Sequence, residues 1–297
     1  MLLADGVKIA EALTDNAGYC ELAVANPDPQ TTYVLQFEKS DNPLTGVNVR
    51  DVIAIQRHIL QDEPLASPYA LLASDASRSG SVTTLDLAQI RALILGQQPA
   101  FNQSTWVFLP TDLTFPNPLS PWDPGTPINI EFVVDMQANQ PAFNALGIKT
   151  GDVNQSAQVN PLMNDQDDPT ISGVYALSYS AGGADLIKKG QTATFVFDAV
   201  TPAFYGQWAI DFSKWEILAV QAPQIPATSL LVETHTDADG MLRVLFTGAI
   251  EDRPLQFSVT ARALATQSLK NLQLGDAIKA MVSNMANQHF EVKLQHN

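Results

Sequence analysis

The sequence predicts a mainly β chain with a small α part, in which two β-sandwich-like units are joined by a pair of calcium loop–helix repeats. Three observations carry this. Asp75-Ala-Ser-Arg-Ser-Gly-Ser-Val-Thr-Thr-Leu-Asp86 spaces oxygen-bearing side chains at alternate positions and runs into an apolar helical stretch, Leu87 to Leu95, closed by Gly96. The same layout recurs 35 residues upstream, where Val47, Asn48, Asp51, Val52, Ile55, Ile59 and Leu60 stand opposite Val82, Thr83, Asp86, Leu87, Ile90, Ile94 and Leu95. From Ile171 onward, short β-rich runs alternate with turn residues.

The elements follow in chain order. In residues 1–38 the strand candidates are Val7-Lys-Ile9, Tyr19–Val24 and Tyr33–Phe37, with a turn at Asp15-Asn-Ala-Gly18. About three strands cannot bury a core alone. Trp106–Leu109 and Ile128–Val134 are therefore expected to pair with them, making residues 1–38 and 101–153 one partial sandwich. Residues 39–100 hold the two repeats. Val52, Ile55, Ile59 and Leu60 share one helix face and Leu87, Ile90, Leu93 and Ile94 another, while Asp62-Glu-Pro-Leu-Ala-Ser-Pro68 breaks the first helix. Residues 154–170, rich in Asn, Asp and Gln, read as a linker. In 171–297 the strands expected are 174–179, 192–198, 208–212, 216–220, 230–233, 242–247, 255–263 and 289–294, at spacings typical of a sandwich.

With 16 basic against 31 acidic residues the net charge is −15, which excludes a phosphate-binding surface of clustered Lys and Arg and disfavours anionic lipid. Cys20 is the only cysteine, so the chain has neither an internal disulfide nor a cysteine zinc site. No apolar run is long enough to cross a bilayer. Met1-Leu-Leu-Ala-Asp5 is too short and too soon polar for a signal peptide, so an exported form is expected to be processed or a fragment.

In the second repeat Asp75, Ser77, Ser79, Thr83 and Asp86 fall at loop positions 1, 3, 5, 9 and 12, with Gly80 at the sharp turn of position 6. Ca²⁺ is the ion this donor set suits; the alternative is an Asp/Ser-rich turn with Asp86 capping a helix. The first repeat is poorer, with Ser40, Leu44 and Thr45 at positions 1, 5 and 6. Leucine cannot ligate calcium, which leaves Asn42, Asn48 and Asp51, with Asp41 nearby, in an altered geometry. Asp152-Val-Asn-Gln-Ser156 begins like a third oxygen-ligand loop, but its position 12 is Met163. Asp152 and Asn154 would need donors from elsewhere to hold a metal, and an Asx turn is the other reading. Asp237-Ala-Asp-Gly240 reads as a hairpin turn.

His58, His235, His289 and His296 do not cluster along the sequence, and no HExxH, GxSxG or P-loop pattern occurs. The reading is therefore non-enzymatic. Trp106, Trp122, Trp208 and Trp215 could stack on sugars, but three of them lie in or beside strand patterns, where they would pack a core.

The repeats resemble type I dockerin modules. The longer block Asn42–Leu60, Ser67-Pro-Tyr69, the second loop, Trp106-Val-Phe108 and Lys149-Thr-Gly-Asp-Val-Asn-Gln-Ser-Ala157 resembles dockerin-containing regions of large surface proteins exported by type IX secretion. Thr14–Tyr19 and Tyr33-Val-Leu35 match in part the carboxypeptidase-regulatory-like sandwich found in such proteins. Gly190–Phe197, Tyr205–Phe212 and Trp215–Val220 are similar to a cohesin-type sandwich. The resemblance implies an extracellular or cell-surface, calcium-stabilised adhesion or scaffold protein. Its partner would be another protein or self, engaged through a dockerin–cohesin-like contact within one chain or head to tail between chains, or through a strand-donor contact; repeated head to tail, either could build a fibre. The alternative is a glycan-binding or accessory region of a larger secreted hydrolase.

Overall fold

The computed structural model describes residues 1–122, 131–136, 143–157, 171–182, 185–199, 205–221, 231–247, 255–276, 278, 280–283 and 289–296. Most of the expected linker, Met163 and the start of the strand expected at Ile128 lie outside the described residues. The chain is mainly β, with three helices among the described residues. It divides into two compact units, one made of 1–47, 54–87 and 100–166, the other of 48–53, 88–99 and 167–297. Two of the helices, α1 (Val49–Ile59) and α3 (Thr84–Ile94), contribute residues to both; α2 (Pro68–Ser74) lies in the first.

The first unit opens on a hairpin, β1 (Leu2–Ala4) and β2 (Val7–Ala10). Its turn is Asp5-Gly6, with φ of 47° and 81°, the doubly left-handed pair that a tight hairpin requires. β1 also pairs with β3 (Tyr33–Gln36), and β3 with β5 (Glu131–Val134), giving the order β2-β1-β3-β5. The sequence places a strand at Tyr19–Val24, but none forms there. The neighbours of β1 are already β2 and β3, and Tyr19 is exposed. The Asp15–Gly18 turn does form, closed by Gly18 N–H on Asp15 O at 3.0 Å. β4 (Trp106–Pro110) does not join this sheet; it pairs with β6 (Ala145–Lys149). The strands of this unit thus form two separate sheets. Leu72 and Ala73 of α2 pack with Val107, Leu109 and Ile148 of the β4–β6 pair and with Phe115.

At the end of α1, Leu65 N–H donates to His58 Nδ1 at 3.1 Å, and burial holds the imidazole below its usual titration range. A neutral imidazole is needed for that bond. A depressed folded pKa contributes stability that is complete above about pH 6.5 and is lost as pH falls through the folded value. His58→Gln is expected to flatten thermal stability between about pH 5 and 7, read by calorimetry across that range.

In the second unit the strands are β7 (Ile171–Ala181), β8 (Leu186–Ile187), β9 (Thr192–Ala199), β10 (Tyr205–Asp211), β11 (Trp215–Gln221), β12 (Leu231–Thr236), β13 (Met241–Thr247), β14 (Gln256–Ala263), β15 (Gln267–Ser268), β16 (Met281–Ser283) and β17 (His289–His296). Nine of them hydrogen-bond in the order β11-β14-β9-β7-β17-β16-β10-β13-β12, and β8 pairs with β15. All pairs in this large sheet are antiparallel except β17–β7. Alternate residues of these strands, among them Tyr179, Phe195, Phe197, Trp208, Phe246 and Phe257, point to one continuous core. Alternation is clean in β9, where Ala193, Phe195, Phe197 and Ala199 are buried.

Candidate functional site

The second loop is built by its own backbone. Asp75 Oδ1 accepts from Ser79 N–H and Oδ2 from Gly80 N–H, both at 2.9 Å, and Ser77 Oγ lies 3.4 Å from Oδ1. Arg78 and Gly80 carry φ of 59° and 80°, which fold the loop back on itself. From the other end, Asp86 Oδ2 accepts from Thr83 N–H and Oγ1–H at 2.8 Å, and Leu85 N–H donates to Thr83 Oγ1 at 3.2 Å, which together cap α3. Capping does not account for the remaining bond: Asp86 Oδ1 reaches across the loop to Ser77 N–H at 2.8 Å.

Asp75 and Asp86 are 1% and 0% exposed, and their hydrogen-bond donors among the described residues are all neutral. Arg78, whose charge Asp75 feels, gives its hydrogen bonds to Ser104 O and Thr150 Oγ1. Buried carboxylates are stable when paired or when they coordinate a metal. Two of them with Ser and Thr hydroxyls make an all-oxygen set, the chemistry of a hard cation such as Ca²⁺. The donors therefore fit the ion that the resemblance implies.

The residues assigned to the first loop each have partners of their own. Asn48 caps α1 through Arg50 N–H at 2.9 Å, and Asp51, fully buried, accepts from Asn48 N–H at 2.9 Å. Asn42 turns inward on its own segment, with Oδ1 accepting from Leu44 N–H. Its carbonyl and the Asp41 carboxylate instead receive Lys149 Nζ, which also sits 5.3 Å above the Trp106 ring. Asp152 accepts from Ser156 and Ala157 N–H, both at 2.8 Å. Burial raises its pKa, and those backbone bonds offset part of the shift. Asp237 serves as the expected hairpin turn, with Gly240 N–H on its carbonyl at 3.0 Å. No group of three or more His, Cys, Asp and Glu that could hold a metal occurs among the described residues.

A second feature lies in the other compact unit. β10 and β13 are buried on both faces. Trp208 and Ile210 of β10 and Leu242, Val244 and Phe246 of β13 fill the core. The alternate residues Gln207, Ala209 and Leu245, on the opposite face, are buried as well. Within the same compact unit, Gln207 Oε1 accepts from Val49 N–H at 2.8 Å. Arg243 Nη1 donates to Ile94 O at 3.3 Å, and Arg91 pairs with Glu233 at 3.7 Å. Gly96 holds φ 69°, a conformation that favours glycine, and a Cβ there would lie 2.8 Å from the Arg243 guanidinium, which would have to shift. The register sets Gln207, Leu245 and Glu233 in one row across β10, β13 and β12. Residues 48–53 and 88–99, the inner turns of both repeat helices, thus cover one face of these strands. The near-continuous apolar run of β13, broken only by Arg243, was the available signal.

Trp208 is fully buried and Trp106 and Trp215 nearly so, which removes three of the four tryptophans from a sugar-stacking platform.

No family model matches the chain, and no curated protein matches it. Among solved structures, a cohesin of scaffoldin B from Acetivibrio cellulolyticus, solved in complex with a dockerin, is 12% identical with a TM-score of 0.32, over 41% of this chain and 96% of that one. A cohesin module of a family 33 glycoside hydrolase from Clostridium perfringens is 13% identical (TM-score 0.28), over 42% of this chain and 100% of that one. A non-cellulosomal cohesin from Archaeoglobus fulgidus is 15% identical, again with a TM-score of 0.28, over 41% and 91%.

Proposed function

We propose that the chain is a non-enzymatic, calcium-stabilised association module of an extracellular scaffold or adhesion protein. The observation that carries this is the covered face of β10, β13 and β12. Its strands present Gln207, Arg243 and Glu233 to the backbone and side chains of two loop–helix repeats, which is recognition of a helix pair by a sheet face, made inside one chain. The resemblance of the repeats to dockerins and of the strand pattern to cohesins supports the same reading. Calcium would act upstream of recognition. Held by Asp75, Ser77, Ser79, Thr83 and Asp86, it would neutralise two buried carboxylates and fix the first turn of α3. The helix would then meet the sheet face in a set orientation. Exchange of the same contact between copies would be heterologous and could extend head to tail.

Light scattering and electron microscopy on the purified chain, in calcium and then in chelator, test this. Oligomers or filaments that chelator disperses would support assembly between copies. A calcium-stabilised monomer would place the contact within the chain and direct the search to an outside protein. A monomer whose size and melting temperature ignore chelation would contradict the proposal.

A further inference from the structure

Within the second unit, the covered face of β10, β13 and β12 reads the repeat helices in two ways, and one of them is blind to sequence. Gln207 Oε1 takes the N–H of Val49, the first residue of α1, and Arg243 Nη1 donates to the carbonyl of Ile94, the last residue of α3. Helix-end groups of this kind have no partner inside their own helix, so every helix offers them. The Arg243 guanidinium also suits the negative end of any helix dipole. Its own charge is met within the β12–β13 hairpin by Asp237 Oδ2, at 3.2 and 3.3 Å.

Arg91 is read through its side chain. Nη1 lies 3.7 Å from Glu233 Oε1 on β12, and Nη2 lies 3.4 Å from Thr247 Oγ1 on β13. Glu233 meets no other cation among the described residues. The Arg91 side chain is 15% exposed and that of Glu233 33%, and Arg91 Nε and Glu233 Oε2 are each buried with no hydrogen bond among the described residues. A pair enclosed in this way penalises the loss of either charge, because the one left behind is stranded.

The two repeats differ at this place. Their 35-residue register sets Gln56 opposite Arg91 and Gln61 opposite Gly96. The backbones agree, since Gln61 and Gly96 both lie in the left-handed region, at φ 63° and 69°. The side chains do not. A glutamine offers Glu233 a hydrogen-bond donor but no charge. A Cβ in place of Gly96 would press on the Arg243 guanidinium that holds Ile94 O. Put where the second repeat sits, the first would fail on charge and on shape.

We infer that Arg91 is the specificity-determining residue of this contact, with Gly96 as its steric complement. The sheet face admits a loop–helix repeat that carries a cation and, five residues on, a glycine. In an exchange between copies, the second repeat of a neighbouring copy meets that requirement and the first does not. This rests on the association of sheet face and repeats proposed above, and adds which of two similar repeats is chosen.

The test is amide hydrogen exchange at Val49, resolved by NMR on the full chain. An N-terminal helix amide lacks a helical partner, so protection there reports the bond to Gln207. The parent chain is expected to protect it. Arg91→Gln and Gly96→Gln, which install the residues of the first repeat, should each speed exchange, Arg91→Gln by about tenfold, inside the range known for residues in direct contact. Arg91→Glu and Glu233→Arg should each act more strongly through like-charge repulsion. Combined, they should return exchange close to the parent rate, which a role in packing alone does not give. Arg262→Glu, which breaks an exposed pair with Glu216 in the same unit, should leave Val49 unchanged. Parent-like protection in Arg91→Gln and Glu233→Arg, or a double variant that exchanges no more slowly than its singles, would overturn this inference and leave the proposed association standing. A Val49 amide unprotected in the parent would overturn both.

Discussion

Asp75→Asn or Asp86→Asn is expected to abolish the difference in melting temperature between calcium and chelator that the second loop creates. A ligand at about 100 times its Kd stabilises the folded state by about 2.7 kcal/mol. At about 2.1 cal/mol/K per residue over the 297 residues, that corresponds to roughly 4 °C, read by differential scanning calorimetry. Each carboxylate accepts backbone N–H bonds in addition to the role proposed for it at the ion, and asparagine retains one of the two oxygens. In chelator the variants should therefore melt close to the parent, because removing a buried negative charge offsets the bond that is lost. A variant that melts far below the parent in both conditions would mark Asp75 and Asp86 as structural caps only.

Lys149→Met is expected to destabilise the first unit by about 3 kcal/mol, the low end for removing one partner of a buried pair. The Lys149 side chain is 1% exposed, and burial holds its pKa below the usual lysine range, with the Asp41 bond opposing that shift. It is the ion-pair partner of Asp41, whose other oxygen is buried with no hydrogen bond among the described residues. Without the ammonium, that carboxylate is stranded, while the lost contact with the Trp106 ring adds a smaller cost. Asp41→Asn combined with Lys149→Met should recover part of the loss, read by urea unfolding. A double variant no more stable than the single one would show that the packing of the lysine stem, not charge, is what matters.

The legible and illegible parts of the fold divide along physical lines. The strands of the second unit were readable because burial on one face imposes a two-residue period, as in Thr192–Ala199. The pairs β8–β15 and the strand β16 were not, since two or three residues carry no period. The parallel pairing of β17 with β7 is set by the tertiary fold alone. α2 went unread because it is seven residues of continuous apolar character, although Ser67-Pro68 is a fair start signal. The strand expected at Tyr19–Val24 lost its place to the Leu2–Ala10 hairpin, whose Asp5-Gly6 turn was the stronger local signal. At the site, the second loop could be read residue by residue because its donors are contiguous. The bond from Ser156 Oγ to Gly46 O, 3.1 Å long, could not, because only folding brings those segments together.

The most direct measurement is amide hydrogen exchange on the intact chain, in calcium and in chelator. If calcium organises the loops, the N–H groups of Ser77, Ser79, Gly80 and Thr83 should exchange more slowly with the ion present. Exchange at these amides that is the same with and without calcium would contradict the calcium-stabilised reading of the chain.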